Sequence, residues 1–311
     1  MLLLVRSGGA AALPEWQEAF RACAPELEVR GWDDPSVDPA SVTHALVWEP
    51  EPGRLARFPN LRLILSTAAG VDHITRDPAW PRHVPILRMA APETAQTVGE
   101  YVCLAALMLL RDFRRLEAAR AARRWDWFEA PRPAGEVRVG IMGMGNIGQV
   151  TARMLRGLGF GVHGWARTPK APEVELFAGP AALDEFLART DMLVGLLPDT
   201  PETRGLLDAG RLARLPRGST LINAGRGTLV VMADLIAALD SGHLAGAVLD
   251  VFEEEPLPPN HPAWRHPAIF ATSHVAGYAP RRARAQYAAR AIAAHARGER
   301  LANLYDPARG Y

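Results

Sequence analysis

Short apolar runs alternate with stretches of helical spacing along the whole chain, a pattern that predicts strands joined by helices in parallel sheets. The early runs are Leu2–Val5, Ala45–Trp48, Leu61–Ser66 and Ile86–Arg88, with a helix over Pro14–Ala22. Loops follow at Glu49–Gly53 and Thr67–Asp72, at the carboxyl ends of strands, where α/β proteins place ligands. A long helical pattern then runs from Glu93 to about Ala122 through Val98, Val102, Ala105, Ala106, Leu109 and Leu110, turning basic over Arg111–Arg124. It is long enough to cross from one domain to another. Pro131-Arg-Pro-Ala-Gly135 reads as a linker, and a second series of strands begins at Val137. Its runs are Gly161–Trp165, Met192–Leu196, Thr220–Asn223, Ala247–Asp250 and Ile269–Ala271, with helices at Ala181–Ala188, Ala209–Leu215 and Met232–Ser241. The alanine- and arginine-rich helix Pro280–Arg297 follows the last strand and is expected to pack back on the first domain.

The second series opens on Val137–Gln149, a buried strand running into a glycine turn and a helix start. Gly143, Gly145 and Gly148 have the G-x-G-x-x-G spacing. The first glycine permits the tight turn, the second lets the backbone approach a pyrophosphate, and the third lets helix and strand pack closely. The N–H groups at Asn146 and Ile147 then face the phosphates. Alone the spacing is a weak signal, since the chain has 27 glycines. Its place between Val139, Ile141, Met142 and the helical pattern Ile147, Val150, Met154, Leu158 strengthens it.

Composition narrows the class. A chain of 311 residues with 49% hydrophobic and 22% charged positions is a soluble globular protein of two expected domains. A net charge of +1 gives no bulk field for nucleic acid or an acidic membrane. Met1–Val5 lacks a basic flank and is read as a strand rather than a signal peptide, and Val102–Leu110 is too short to span a bilayer. Cys23 and Cys103 are isolated and make neither a disulfide framework nor a metal site, which places the protein in a reducing, cytoplasmic compartment. Lys170 is the one lysine.

Three further motifs carry chemistry: Asn223-Ala-Gly-Arg-Gly227, Asp250-Val-Phe-Glu-Glu-Glu-Pro256 and Ser273-His-Val-Ala-Gly277. With the glycine turn, in this order and spacing, the chain resembles the D-isomer-specific 2-hydroxyacid dehydrogenases over essentially its whole length. Its length, Val47-Trp-Glu-Pro50, Trp165-Ala-Arg167 and the terminus Ala308-Arg-Gly-Tyr311 look most like glyoxylate/hydroxypyruvate reductases. The resemblance implies two doubly wound parallel-sheet α/β domains, a Rossmann cofactor domain (99–280, with the crossing helix) inserted in a flavodoxin-like substrate domain (1–98 and 281–311). It also implies a homodimer formed through the cofactor domain and its crossing helix.

A 2-keto acid needs a fixed cation for its carboxylate and carbonyl and a proton donor for the alkoxide made when hydride arrives. Arg226, in a glycine-flanked loop after a strand, can serve as the cation through planar charge-assisted donors, against the competing reading of a surface arginine. His274 follows an apolar strand and precedes a small turn, and imidazole can donate and recover a proton near neutral pH; a satisfied structural histidine is the alternative. The resemblance makes Glu255 the acid that orients it, although Glu253 and Glu254 are neighbours and the three could be a solvated acidic loop. It also implies that Asp250 lies near the nicotinamide, with a cap or loop role as competitor, and that Ala69, Gly70 and Val71 grip the substrate carboxylate through backbone N–H groups. Trp48 is expected to wall the substrate pocket, Thr97 and Glu100 to lie near the cofactor, and Leu197, Pro198, Thr203, Ala224 and Gly225 to line the cofactor groove.

The choice of nicotinamide cofactor follows from residues alone. An NAD site places an acid about 20 residues beyond the glycine turn to bind the ribose 2′-hydroxyl. None lies between Gly159 and Pro172. Trp165, Arg167 and Thr168 end the second strand instead, with Lys170 close by, and arginine pairs with a 2′-phosphate, against the competing reading that Arg167 and Lys170 merely decorate an exposed loop. The expected reaction is reduction of glyoxylate or hydroxypyruvate to glycolate or D-glycerate with NADPH preferred and NADH as second candidate. A bulkier 2-keto acid or phosphoglycerate, or a non-catalytic NAD(P)-sensing role, are the alternatives.

Overall fold

Strands covered on both faces can be apolar throughout, and the central strands of this protein are. The computed structural model describes residues 1–129, 132–168 and 173–311. Among these residues the contacts divide the chain into two units, Met1–Thr94 with Ala279–Tyr311, and Ala95–Tyr278. The expected divisions lay at 98/99 and 280/281.

The first unit contains β1 (Leu2–Arg6), α1 (Leu13–Arg21), β2 (Glu28–Gly31), β3 (Val42–Val47), β4 (Leu63–Ser66), α2 (Asp72–Thr75) and β5 (Ile86–Leu87). The strands pair in parallel in the order β2-β1-β3-β4-β5. That is the flavodoxin-like order, which reverses direction between β1 and β3. Trp48 sits just past β3 at this point, its N–H donating to Arg6 O at 2.7 Å.

Between β5 and the next strand in the sequence come α3 (Pro92–Leu110) and α4 (Phe113–Ala121). The single helix expected over Glu93–Ala122 is thus two, because Asp112 takes a left-handed conformation (φ 46°) that ends the α3 ladder. The apolar side of α3 (Val98, Val102, Ala105, Ala106) packs with Val139 and Ile141 of the second sheet. Gly99 allows a close approach, since a Cβ there would lie 2.5 Å from Met154 Sδ.

The second unit continues with β6 (Arg138–Met142), α5 (Asn146–Gly157), β7 (Gly161–Ala166), β8 (Glu175–Ala178), α6 (Leu183–Ala188), β9 (Met192–Gly195), α7 (Ala209–Leu212), β10 (Ser219–Asn223), α8 (Met232–Asp240), β11 (Leu244–Leu249) and β12 (Ile269–Ala271). All neighbours pair in parallel, in the order β12-β11-β10-β9-β6-β7-β8. The direction of winding reverses between β6 and β9, so the crevice for a ligand opens where the glycine turn follows β6. Finally α9 (Arg281–Ala296) lays Ala285, Ala288, Ala289 and Ile292 against Trp16 and Phe20 of α1 in the first unit. Its alanines let the two helices approach closely. Among the described residues no helix is long and apolar enough to cross a membrane.

Candidate active site

Because the strands of the second sheet are parallel, the loops after β6, β7, β9, β10, β11 and β12 emerge on one edge, and the polar residues singled out in this unit are gathered there. The turn after β6 is built as the spacing requires. Gly143 has φ 107°, and Gly148 could not carry a side chain, since its Cβ would lie 2.0 Å from Gly143 O. At Gly145 nothing lies within 4 Å of that position. Gly145 and Asn146 are exposed at the start of α5, where first-turn N–H groups have no intrahelical acceptor. This is a cradle into which a pyrophosphate fits. The segment Leu196–Leu197 lies against Gly143, and Leu197 and Gly195 lie against Gly225, so these loops share one surface. Ala224 joins it by donating to Gly195 O at 3.2 Å. Thr203 stiffens the loop after β9, its hydroxyl donating to Pro198 O at 2.7 Å and accepting from Thr200 N–H at 2.9 Å.

Beyond β7 the structure separates three expected cofactor residues. Arg167 and Thr168 are exposed. Trp165 is not: its indole belongs to the core with Phe177 and Phe186 and donates to Gly179 O at 3.0 Å. Its side chain serves packing in the sheet's core. Lys170 lies outside the described residues. Glu202, in the loop after β9, has its carboxyl held below the usual range chiefly by hydrogen bonding to Thr200 and the backbone, with a smaller contribution from the charge of Arg167.

Arg226 is held between two glycines with different neighbours. A Cβ on Gly225 would lie 2.9 Å from Leu197 O, and one on Gly227 only 1.9 Å from the Phe252 carbonyl carbon. Buried Asn223 braces the loop, its Nδ2 donating to Arg226 O at 3.0 Å and its Oδ1 accepting from Gly225 N–H at 3.2 Å. Asp199 ties in the next turn by accepting from Thr228 Oγ1 at 3.0 Å. Sequence reading missed both Asn223 and Asp199 as bracing residues. An amide at a strand end beside a glycine was the available signal for the first.

The contact of Gly227 with Phe252 leads to the paired side chains of Glu255 and His274. Phe252 N–H donates to Glu255 Oε1 at 2.8 Å, and Glu255 Oε2 lies 2.7 Å from His274 Nδ1. Glu255, rather than Glu253 or Glu254, is the partner. The hydrogen bond that the His274 ring donates to Glu255 raises the imidazole above its ordinary value of 6.5, reinforced by the Glu255 and Asp250 charges and opposed by burial and Arg226. Burial pushes Glu255 the other way, but the His274 ring, the Phe252 N–H and the charges of His274 and Arg226 outweigh it and lower its carboxyl below the usual 4.5. With Nδ1 facing the carboxylate, Nε2 is the nitrogen that faces away from it.

Asp250, expected near the nicotinamide or in a cap or loop role, holds the loop after β12. It is 1% exposed, and its carboxylate accepts from Val275 N–H (2.9 Å), Ala276 N–H (2.8 Å) and Thr272 Oγ1 (2.6 Å). It anchors the loop of His274. Thr97 likewise spends its hydroxyl on the Tyr278 backbone, and exposed Glu100 accepts from Gln96.

In the first unit, the loop after β4 carries Ala69, Gly70 and Val71. Buried Ser66 organises it, its hydroxyl reaching Ala68 O (2.9 Å) and Gly70 O (2.8 Å) and accepting from Ala68 N–H (3.0 Å). Ala69 and Gly70 are half-buried, while the Val71 side chain belongs to the core. The Trp48 ring lies over His73, centroids 4.4 Å apart, and His73 Nε2 is 3.3 Å from Ser66 Oγ. Sequence reading named neither Ser66 nor His73.

One edge of the second unit's sheet thus bears both a glycine turn opening a helix and a carboxylate–imidazole pair. Residues 103–276 match the model of the NAD-binding domain of D-isomer specific 2-hydroxyacid dehydrogenases. A D-isomer specific 2-hydroxyacid dehydrogenase from Xanthobacter autotrophicus Py2, solved with NADPH and MES, is 42% identical over 100% of this chain and 99% of its own, with a TM-score of 0.94. An NADPH-dependent glyoxylate/hydroxypyruvate reductase from Sinorhizobium meliloti, solved with NADP and sulfate, is 39% identical over 100% of this chain and 99% of its own, with a TM-score of 0.92. This chain belongs to the D-isomer specific 2-hydroxyacid dehydrogenase family.

Proposed function

We propose that the protein reduces glyoxylate or hydroxypyruvate to the D-2-hydroxy acid with NADPH. The observation that carries this reading is the 2.7 Å pairing of His274 with Glu255 beside Arg226, on the sheet edge that also bears the glycine cradle. The NADPH-bound and NADP-bound relatives support the cofactor, and the reductase from S. meliloti supports the substrate class. Gly143, Gly145, Asn146, Ile147 and Gly148 would hold the pyrophosphate, Arg167 with Thr168 the 2′-phosphate, and Leu197, Pro198, Thr203, Ala224 and Gly225 the groove between them.

When bound, NADPH supplies a hydride to the keto carbon. Arg226 binds the substrate carboxylate and carbonyl oxygen, and its charge stabilises the alkoxide that develops. Ala69, Gly70 and Val71 offer backbone N–H groups to the carboxylate, with Trp48 as a wall. His274 delivers a proton from Nε2 to the oxygen, and Glu255 on Nδ1 keeps the ring oriented and favours the imidazolium that reduction requires. Afterwards the ring recovers its proton from solvent.

A steady-state screen of glyoxylate, hydroxypyruvate, pyruvate and phenylpyruvate with both cofactors tests the reading. The expected result is a kcat/KM highest for the two small substrates and at least about tenfold higher with NADPH than with NADH. Equal efficiency with the two cofactors would remove Arg167 from its role, and a preference for phenylpyruvate would move the substrate class. We also propose that two copies associate through α3 and α4, where Leu104, Leu107, Phe113 and Leu116 are exposed. A monomer mass by light scattering at micromolar concentration refutes that part. The free thiols of Cys23 and Cys103 suit a cytoplasmic protein.

A further inference from the structure

The loop that carries His274 is fastened at both ends to one helix. At its start the Thr272 hydroxyl lies 2.6 Å from Tyr101 Oη and donates to Asp250 Oδ1 at 2.6 Å. At its end Tyr278 N–H donates to Thr97 Oγ1, and that hydroxyl donates back to Tyr278 O, both at 2.9 Å. Thr97 and Tyr101 stand four residues apart on α3, hence on one face. Because the single proton of Thr272 Oγ1 goes to a carboxylate, the shared proton between the two hydroxyls must come from Tyr101.

Between these ends the loop holds an unfavourable backbone. His274 has φ 54°, a left-handed conformation that a non-glycine residue keeps only where its surroundings over-determine it. Three loop N–H groups converge on Asp250, those of Val275 and Ala276 on its carboxylate and that of His274 on its main-chain carbonyl at 2.8 Å. Asp250 grips the middle of the loop; the two hydroxyls of α3 fix where it enters and leaves.

We infer that Thr97 and Tyr101 are positioning residues for His274, their hydroxyls clamping the two ends of its loop so that its ring meets Glu255. This rests on the reading of His274 as the proton donor. Burial pushes the Tyr101 phenol up to about 12, so it remains a donor at every working pH. The charged groups that act on the His274 ring are Glu255, Arg226 and Asp250, and none of them is altered by changing the clamp.

The test uses the full-length protein with Tyr101→Phe, Thr97→Val, their combination, and Thr97→Ser, which keeps the hydroxyl. Three quantities are read: the NMR titration of the His274 imidazole, kcat and KM for glyoxylate and NADPH, and the thermal unfolding midpoint. The combined variant is expected to titrate lower than the wild type, towards 6.5, with kcat down about tenfold and KM for NADPH changed by less than about twofold. Thr97→Ser is expected to behave as the wild type. An unchanged titration and kcat in the combined variant overturns the proposal. So does a loss of NADPH affinity in proportion to kcat, which marks general loosening of the unit. If the wild type reduces no 2-keto acid, the proposed function fails and the titration alone decides the clamp, a lowered midpoint upholding it and an unchanged one overturning it.

Discussion

Replacing His274 by alanine is expected to lower kcat for glyoxylate reduction about 10³-fold while leaving the Kd for NADPH within about twofold of the wild type. The asymmetry follows from the site. The ring meets Glu255 on one nitrogen and turns the other away, and the phosphate cradle at Gly143–Gly148 belongs to a different loop. The same pairing sets the pH dependence. Reduction needs the imidazolium, so its rate holds below the raised titration point of His274 and falls as pH rises through it. Glu255→Gln removes the largest support for that rise, and the fall in rate should move down towards about 6.5. Steady-state rates from pH 5.5 to 9 at saturating NADPH check both points. Unaltered turnover in His274→Ala would take the residue out of the mechanism.

Arg226→Lys should cost about 10²-fold in kcat/KM, with KM for the keto acid raised, although charge is conserved. Lysine cannot reproduce the planar fork that holds a carboxylate and a carbonyl oxygen together. Nor can it keep the inward bond by which the guanidinium donates to Gly225 O at 2.8 Å without turning its single ammonium from the substrate. Wild-type kcat/KM in this variant would show that the cation acts by charge alone.

These two predictions use residues that the sequence displays openly, each alone in a small, glycine-bearing loop after an apolar strand. The central strands were equally legible, because burial on both faces leaves continuous apolar runs such as Leu63–Ser66 and Met192–Gly195. The edge strands β2 and β8 were not, since Glu28–Gly31 and Glu175–Ala178 are half-exposed and carry no such run. The break at Asp112 was hidden by an apolar period that continues on either side of one left-handed residue. Asp250 shows a further limit. Its place after a strand was visible, but its partners lie 22 to 26 residues onward, and only the folded loop shows that they converge on it. Trp165 shows the converse: an aromatic ring beside a candidate ligand loop can turn into the sheet's own core, as this one does.

The return of α9 to α1 bears on how the chain is made. The helix that completes the first unit's core with Ala285, Ala288, Ala289 and Ile292 is synthesised only after the whole of Ala95–Tyr278. At ordinary elongation rates that interval is roughly 10–40 s. During it the nascent face of α1 around Trp16 and Phe20 lacks its cover, while the second unit, one uninterrupted stretch, can fold as it emerges. The period of greatest exposure to aggregation and to chaperones therefore falls on the half made first.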